Sequence, residues 1–185
     1  MRGHVDPAKL HLLMRELGRR ARGPGRIYLT GGASALLEGW RQATVDVDLK
    51  LDPEPAGIFE AIAEIKDDLD VNIELAAPDQ FLPSLPDWRA RSPHVARHGE
   101  VDFHHYDFRA QALSKLARGF ERDLADVHAM LDRGLVSQDD LRAALDEIRP
   151  GLVRHPALDA AAFVGRVRRF LDLRSGEPNN KGDDG

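Results

Sequence analysis

Leu29-Thr30-Gly31-Gly32-Ala33-Ser34, followed by Thr44-Val45-Asp46-Val47-Asp48-Leu49, decides how the rest of the chain is read. Residues 26–30, Arg-Ile-Tyr-Leu-Thr, read as a short buried strand. Two glycines follow at once, then a short helix over 33–38 that Gly39 closes. From 44 to 51 the pattern alternates, with Val45, Val47, Leu49 and Leu51 on one face and Asp46, Asp48 and Lys50 on the other. Carboxylates at i and i+2 of a strand share a face, with Cα atoms about 6.6 Å apart. That spacing suits joint ligation of a divalent cation. Mg2+, with Mn2+ as the alternative, binds hard oxygen donors and takes one or two carboxylates plus substrate phosphates. A Gly-Gly turn between a strand end and a helix start lets backbone N–H groups approach an anion closely. Each feature alone is common, as a turn and as a solvated strand face. In succession they describe a nucleoside triphosphate–metal site.

The flanking segments supply a frame. Asp6-Pro7 starts a helix in which Leu10, Leu13, Met14 and Leu17 recur at helical spacing, and Gly23-Pro24-Gly25 ends it. Ile58, Phe59, Ile62 and Ile65 mark a helix to about Asp68. Residues 71–75 alternate again, with Val71, Ile73 and Leu75 inward and Asn72 and Glu74 on the polar face. A proline-rich connector spans 78–86, with Phe81, Leu82 and Trp88 as anchors. Residues 94–98 and 101–106 predict a hairpin in which Arg97 faces Asp102 and His94 faces His105. His104 and His105 then point to opposite faces, which argues against a zinc cluster.

Leu113, Leu116, Ala117, Phe120, Leu124, Val127 and Leu131 predict one long amphipathic helix over 110–131. On a continuous helix Lys115, Arg122 and Asp126 fall within about 40° of one another, opposite that stripe. An ordinary solvated face with an Asp126–Arg122 pair is the structural alternative. Helices over 137–148 and 157–173 follow, and the polar stretch 175–185 predicts disorder. The expected fold is α+β: a core with a short mixed sheet flanked by helices over 1–109, and a C-terminal helical part over 110–174 packed on it.

Gly-Gly, a short helix and Asp-hydrophobic-Asp together resemble the signature of the nucleotidyltransferase superfamily that shares its fold with DNA polymerase β. The wording around Gly31 and Asp46 is similar to the tRNA CCA-adding and poly(A) polymerases, and closer to the AbiEii/AbiGii-like nucleotidyltransferases, many of which are toxins of toxin–antitoxin systems. Lys115 followed by Arg122-Asp123-Leu124-Ala125-Asp126 matches the latter branch's Lys…Arg-Asp-x-x-Asp motif. The resemblance covers roughly residues 26–130. It implies transfer of an NMP from an NTP to an acceptor hydroxyl, with Asp46 and Asp48 holding the metals. It also implies a third acid on the next strand, as ligand and base; Glu74 is the better match, with Asn72 competing for the position. Gly31, Gly32 and Ser34 would cradle phosphates, Ser34 alternatively capping its helix. Lys115, Arg122 and Asp126 would form the opposing nucleotide-binding face. A tRNA, a protein or a small molecule would be the acceptor, and an antitoxin protein the partner. A non-catalytic nucleotide-binding or antitoxin-like module is the competing reading.

Composition limits these choices. The 185-residue chain has a net charge of −5 and no cysteine. Thiolate metal sites are thereby excluded, and a purely electrostatic nucleic-acid binder is disfavoured. No run approaches the roughly 20 apolar residues of a membrane span, and no secretory signal is recognisable, so the expected location is the cytoplasm. Arg166, Arg168 and Arg169 are candidates for a basic groove toward RNA.

Overall fold

A computed structural model describes residues 3–176. Strands β1 (Gly25–Thr30), β2 (Asp46–Leu51), β3 (Asn72–Leu75), β4 (His94–His98) and β5 (Val101–His105) form one sheet in the order β3-β2-β1-β5-β4. β1 is antiparallel to β2 and parallel to β5, β2 is parallel to β3, and β4–β5 is an antiparallel hairpin. Helices flank this mixed sheet, which is the expected α+β class.

Period-2 patterning explains the two faces. Ile27, Leu29, Val47, Leu49, Ile73 and Phe103 join one apolar cluster with helices α1 (Pro7–Arg20) and α3 (Ile58–Asp68). Asp6 caps α1, its carboxylate accepting from Lys9 N–H at 2.8 Å, and Pro7 stands first in the helix. On the other face Tyr28 joins Trp88, Tyr106 and four helices: α4 (Phe108–Arg118), α5 (Glu121–Asp132), α6 (Gln138–Ile148) and α7 (Ala160–Gly176). Trp88 stacks on Tyr106 at 4.6 Å and meets Tyr28 edge-on at 4.8 Å. This aromatic cover lies over Tyr28, whose sheet partners are Lys50 and His104. The next row of the same face, Thr30, Asp48 and Glu74, lines an open cleft.

Several expectations are corrected. The stripe over 110–131 builds two helices rather than one, because Gly119 takes φ +72° and terminates α4. That left-handed backbone favours glycine, and it ends a helix even where apolar spacing continues. Phe120, expected inward, is 68% exposed at the junction. In the hairpin Arg97 does face Asp102, but a register shift between His94 and Ala96 sets His94 against His104 instead of His105. Val45 and Leu75 are exposed rather than inward. Val45 lies just before β2, and Leu75 at the last position of β3, the edge strand of the sheet. The last helix runs Ala160–Gly176 and so includes Ser175. The rest of the stretch expected to be disordered, 177–185, lies outside the described residues. No helix among the described residues is long and apolar enough to cross a membrane.

Two glycines inside helices are expected to respond oppositely to alanine. A Cβ on Gly18 of α1 would lie 2.3 Å from the His98 carbonyl oxygen, whereas one on Gly165 of α7 meets nothing within 4 Å. Gly18→Ala is expected to destabilise by about 1–3 kcal/mol through overpacking against β4. Gly165→Ala is expected to stabilise by about 0.5–1 kcal/mol through helix propensity. Denaturant midpoints of the two variants check both signs.

Candidate active site

The end of β1 fixes the position of the site. Thr30 is paired with Asp48 across β1–β2, and Asp48 with Glu74 across β2–β3, so the three share one row on three adjacent strands. Asp46 is paired with Asn72 one step away on the same face. Immediately after Thr30 the chain turns into helix α2 (Gly31–Leu37). Both glycines are required there, for different reasons. Gly31 has φ +58°, and a Cβ on it would stand 3.0 Å from Asp48 Oδ2. A Cβ on Gly32 would fall 2.1 Å from Thr44 Oγ1. Thr44 is itself bridged to Val5 by backbone hydrogen bonds of 2.8 and 2.9 Å. The turn is therefore pressed against the segment that leads into the two aspartates.

Asp46, Asp48, Glu74, Gly31 and Gly32 line one cleft of about 560 Å³, and Arg41, Lys115, Arg118 and Arg122 line it too. Two halves far apart in sequence thus meet across one space. Gln111, Ser114, Lys115 and Arg118 stand at i, i+3, i+4 and i+7 of α4, which puts all four on its cleft side.

The acidic floor carries repulsion that its surroundings offset only in part. Burial, with Glu74 and Asp46 adding their charges, pushes the Asp48 carboxyl up to about 6. The Asn72 amide donates to Asp46 Oδ1 at 2.7 Å and to Glu74 Oε1 at 2.9 Å, tying the outer carboxylates together. Glu74 and Asn72 therefore both reach the polar face, as alternation implied, but Asn72 holds the acids while Glu74 lines the cleft. Among the described residues no three Asp, Glu or His side chains are grouped to hold a metal ion by themselves. The donor set instead suits a hard cation that completes its shell with substrate oxygens. Crowding that raises the Asp48 pKa is what such a cation relieves.

The cationic wall is organised by buried acids. Asp126 accepts from Trp40 Nε1 at 3.0 Å, Arg41 Nε at 3.0 Å, Arg41 Nη2, and Lys115 Nζ at 2.5 Å. The expected Asp126–Arg122 pair does not form. Asp126 is buried and does not line the cleft; it places the cations that do. Asp123 receives Arg118 Nη2 at 2.6 Å and lies 3.8 Å from Lys115 Nζ. Burial alone would raise the Asp123 pKa, but Arg118 and Lys115 hold it below the ordinary carboxylate range. Burial lowers the Lys115 pKa despite Asp126 beside it. Arg122 is exposed and has no acidic partner among the described residues.

Ser34 is placed differently from a phosphate ligand. It is fully buried behind the turn and donates to the Leu29 carbonyl at 3.1 Å. His105 Nδ1 and Gln111 Nε2 lie 3.0 and 3.1 Å from its hydroxyl. His105 Nε2 meets Glu38 at 2.9 Å, and burial, with His104 adding, pushes His105 down to about 4. Gln111 was not singled out in the sequence, yet it connects this network to the turn by accepting from Gly31 N–H at 2.9 Å. Its signal was the polar i, i+3, i+4, i+7 set in a helix whose only other polar residue is Arg109. Lys50, on the face of Asp46 and Asp48, pairs with Asp79 at 2.6 Å. Arg166 caps α4 by donating to the Leu116 carbonyl at 3.1 Å and to the Ala117 carbonyl.

Residues 9–160 match the model of a family described as "Nucleotidyltransferase of unknown function (DUF6036)". No curated protein and no solved structure matches the chain.

Two outcomes follow from the charges. Asp48 binds its proton more tightly folded than unfolded, so its contribution opposes folding as pH rises through that window. Without divalent cation, Asp48→Asn is expected to gain stability over wild type between about pH 4 and pH 6, to a plateau on the order of 2–3 kcal/mol. Paired urea titrations across pH measure that difference. Asp126→Asn is expected to cost roughly 3–5 kcal/mol, because it leaves Lys115 and Arg41 without their buried counter-charge. Thermal melting with added salt checks it.

Proposed function

The chain belongs to the family described as nucleotidyltransferases of unknown function (DUF6036), its match spanning most of the sequence, and from that membership we propose that it transfers an NMP from an NTP to an acceptor hydroxyl with release of pyrophosphate. The observation that carries the reading is the single cleft in which Asp46, Asp48 and Glu74 on the sheet face Lys115, Arg118 and Arg122. Negative charge on one side and positive charge on the other suits a ligand that is a polyanion delivered with a divalent cation.

Asp46 and Asp48, with Glu74 beside them, would hold Mg2+ or Mn2+, which when bound supplies positive charge against the triphosphate. Lys115 and Arg118, positioned by Asp126 and Asp123, neutralise charge that builds on the leaving pyrophosphate. Arg122 adds a cation that has no acidic partner among the described residues. The Gly31-Gly32 turn admits a phosphate close to the backbone. Glu74 accepts the proton of the acceptor hydroxyl as its oxygen bonds to the α-phosphorus and the bond to pyrophosphate breaks. Asn72 orients the Glu74 and Asp46 carboxylates.

The acceptor within this reading is a tRNA or a protein, and membership of the AbiEii-like branch would make the chain a toxin held by an antitoxin partner in the cytoplasm. Motif wording around Lys115 and Arg122 supports that finer assignment. A second reading, nucleotide binding without transfer, is favoured by one feature: the Asn72 amide ties up both outer carboxylates.

Incubation with each labelled NTP, Mg2+ and total cellular RNA or protein tests the reading. Label is expected in one acceptor class, and Asp46→Ala/Asp48→Ala is expected to lower incorporation by at least about 100-fold. NTP binding without incorporation favours the second reading. Labelling that the double variant preserves removes the assignment of the aspartates.

A further inference from the structure

The lining of the cleft includes an acidic, a cationic and an apolar part, and the transfer reading leaves the apolar one unused. Asp46, Asp48 and Glu74 form the acidic part, and Arg41, Lys115, Arg118 and Arg122 the cationic part. The third part is apolar: Val45, Ala76, Ala77, Pro78 and Phe81. Phe81 is 56% exposed and Val45 43% exposed, although both face this charged space. Phe59, Phe120, Val153 and Leu173 are comparably exposed but line no part of the cleft. Single exposed apolar side chains need no explanation; an apolar patch rimmed by charges inside a cleft marks a ligand surface.

The Phe81 ring is presented from a fixed backbone. A short 3₁₀ helix, Pro78–Gln80, precedes it. Phe81 N–H and Leu82 N–H both donate to the Pro78 carbonyl at 3.0 Å. Gln80 Nε2 donates to the Leu75 carbonyl at 3.0 Å, tying the segment back to the end of β3. Pro78 and Leu82 are buried on either side. Among the described residues the Phe81 ring stacks on no other aromatic side chain. An aromatic held in this way offers contact area at low entropic cost.

We propose that Phe81, backed by Val45 and Pro78, is a stacking platform for a nucleobase at the lip of the cleft. The proposal rests on the nucleotidyltransferase reading and adds the subsite that reading leaves unassigned. A ligand with one polyanionic end and one flat apolar end matches a cleft with a charged floor and an aromatic lip. Side chains on the apolar wall carry no hydrogen-bonding groups, so the wall selects a base over no base and discriminates weakly among bases. The base belongs either to the NTP or to a nucleotide acceptor, and one experiment separates the two.

Calorimetric titrations of the full chain with Mg2+ would use ATP, CTP, a short single-stranded oligoribonucleotide, and inorganic tripolyphosphate as the base-free probe. Phe81→Ala is expected to weaken binding of at least one base-bearing probe about tenfold, leave tripolyphosphate unchanged, and be rescued by Phe81→Trp. Loss on ATP and CTP assigns the platform to the NTP; loss on the oligoribonucleotide assigns it to the acceptor. Unchanged affinity for every base-bearing probe, or equal weakening of tripolyphosphate, overturns the platform while leaving the transfer reading intact. A wild-type chain that binds none of the probes overturns both. Melting curves of the variants confirm that the exposed position leaves the fold unaltered.

Discussion

The Asp126 carboxylate is the joint on which the cleft depends. It receives Lys115 from α4 and Trp40 with Arg41 from the segment after α2, while standing on α5 itself. Two consecutive helices and the distant segment after α2 are thereby held around one buried charge. A buried carboxylate with fewer partners would be costly, and buried cations without it would be worse. The arrangement is justified less by net stability than by placement: it fixes where the positive wall stands relative to the sheet.

The opposite wall has the reverse character. Asp46, Asp48 and Glu74 repel one another, and Asp48 responds by holding its proton to about pH 6. Asn72 offsets part of that repulsion with two hydrogen bonds. Glycines bring the two halves together. Gly31 gives Asp48 room beside the turn, and Gly32 lets Thr44 close against it. Repulsion among the acids and order among the cations face each other across one space, which under the proposed function would gain stability when a polyanion and a divalent cation enter together.

Much of the floor was legible in the sequence because it is built from local periodicity. Alternation over 44–51 put Asp46, Asp48 and Lys50 on one face, and alternation over 71–75 put Glu74 and Asn72 on another. Only strand order was needed to make the faces adjacent, and β2–β3 pairing supplies it. The opposite wall was legible as a motif but not as geometry. Apolar spacing continues across Gly119, so periodicity could not see the helix break that its left-handed backbone imposes. Lys115 and Asp126 meet across two helices, where a single wheel had set them on one. Ser34 sits in a seven-residue helix, too short for its pattern to reveal which side packs inward. Trp40 and Arg41 acquire their roles from Asp126, 85 or more residues away, which no local pattern encodes.

The most direct measurement is a crystal structure of the full chain with Mg2+ and a non-hydrolysable NTP analogue. The expected result is a triphosphate lying in the cleft between Asp46 and Asp48 on one side and Lys115, Arg118 and Arg122 on the other. A nucleotide bound elsewhere on the molecule, or an empty cleft at saturating ligand, would contradict the assignment of this cleft as the site of transfer.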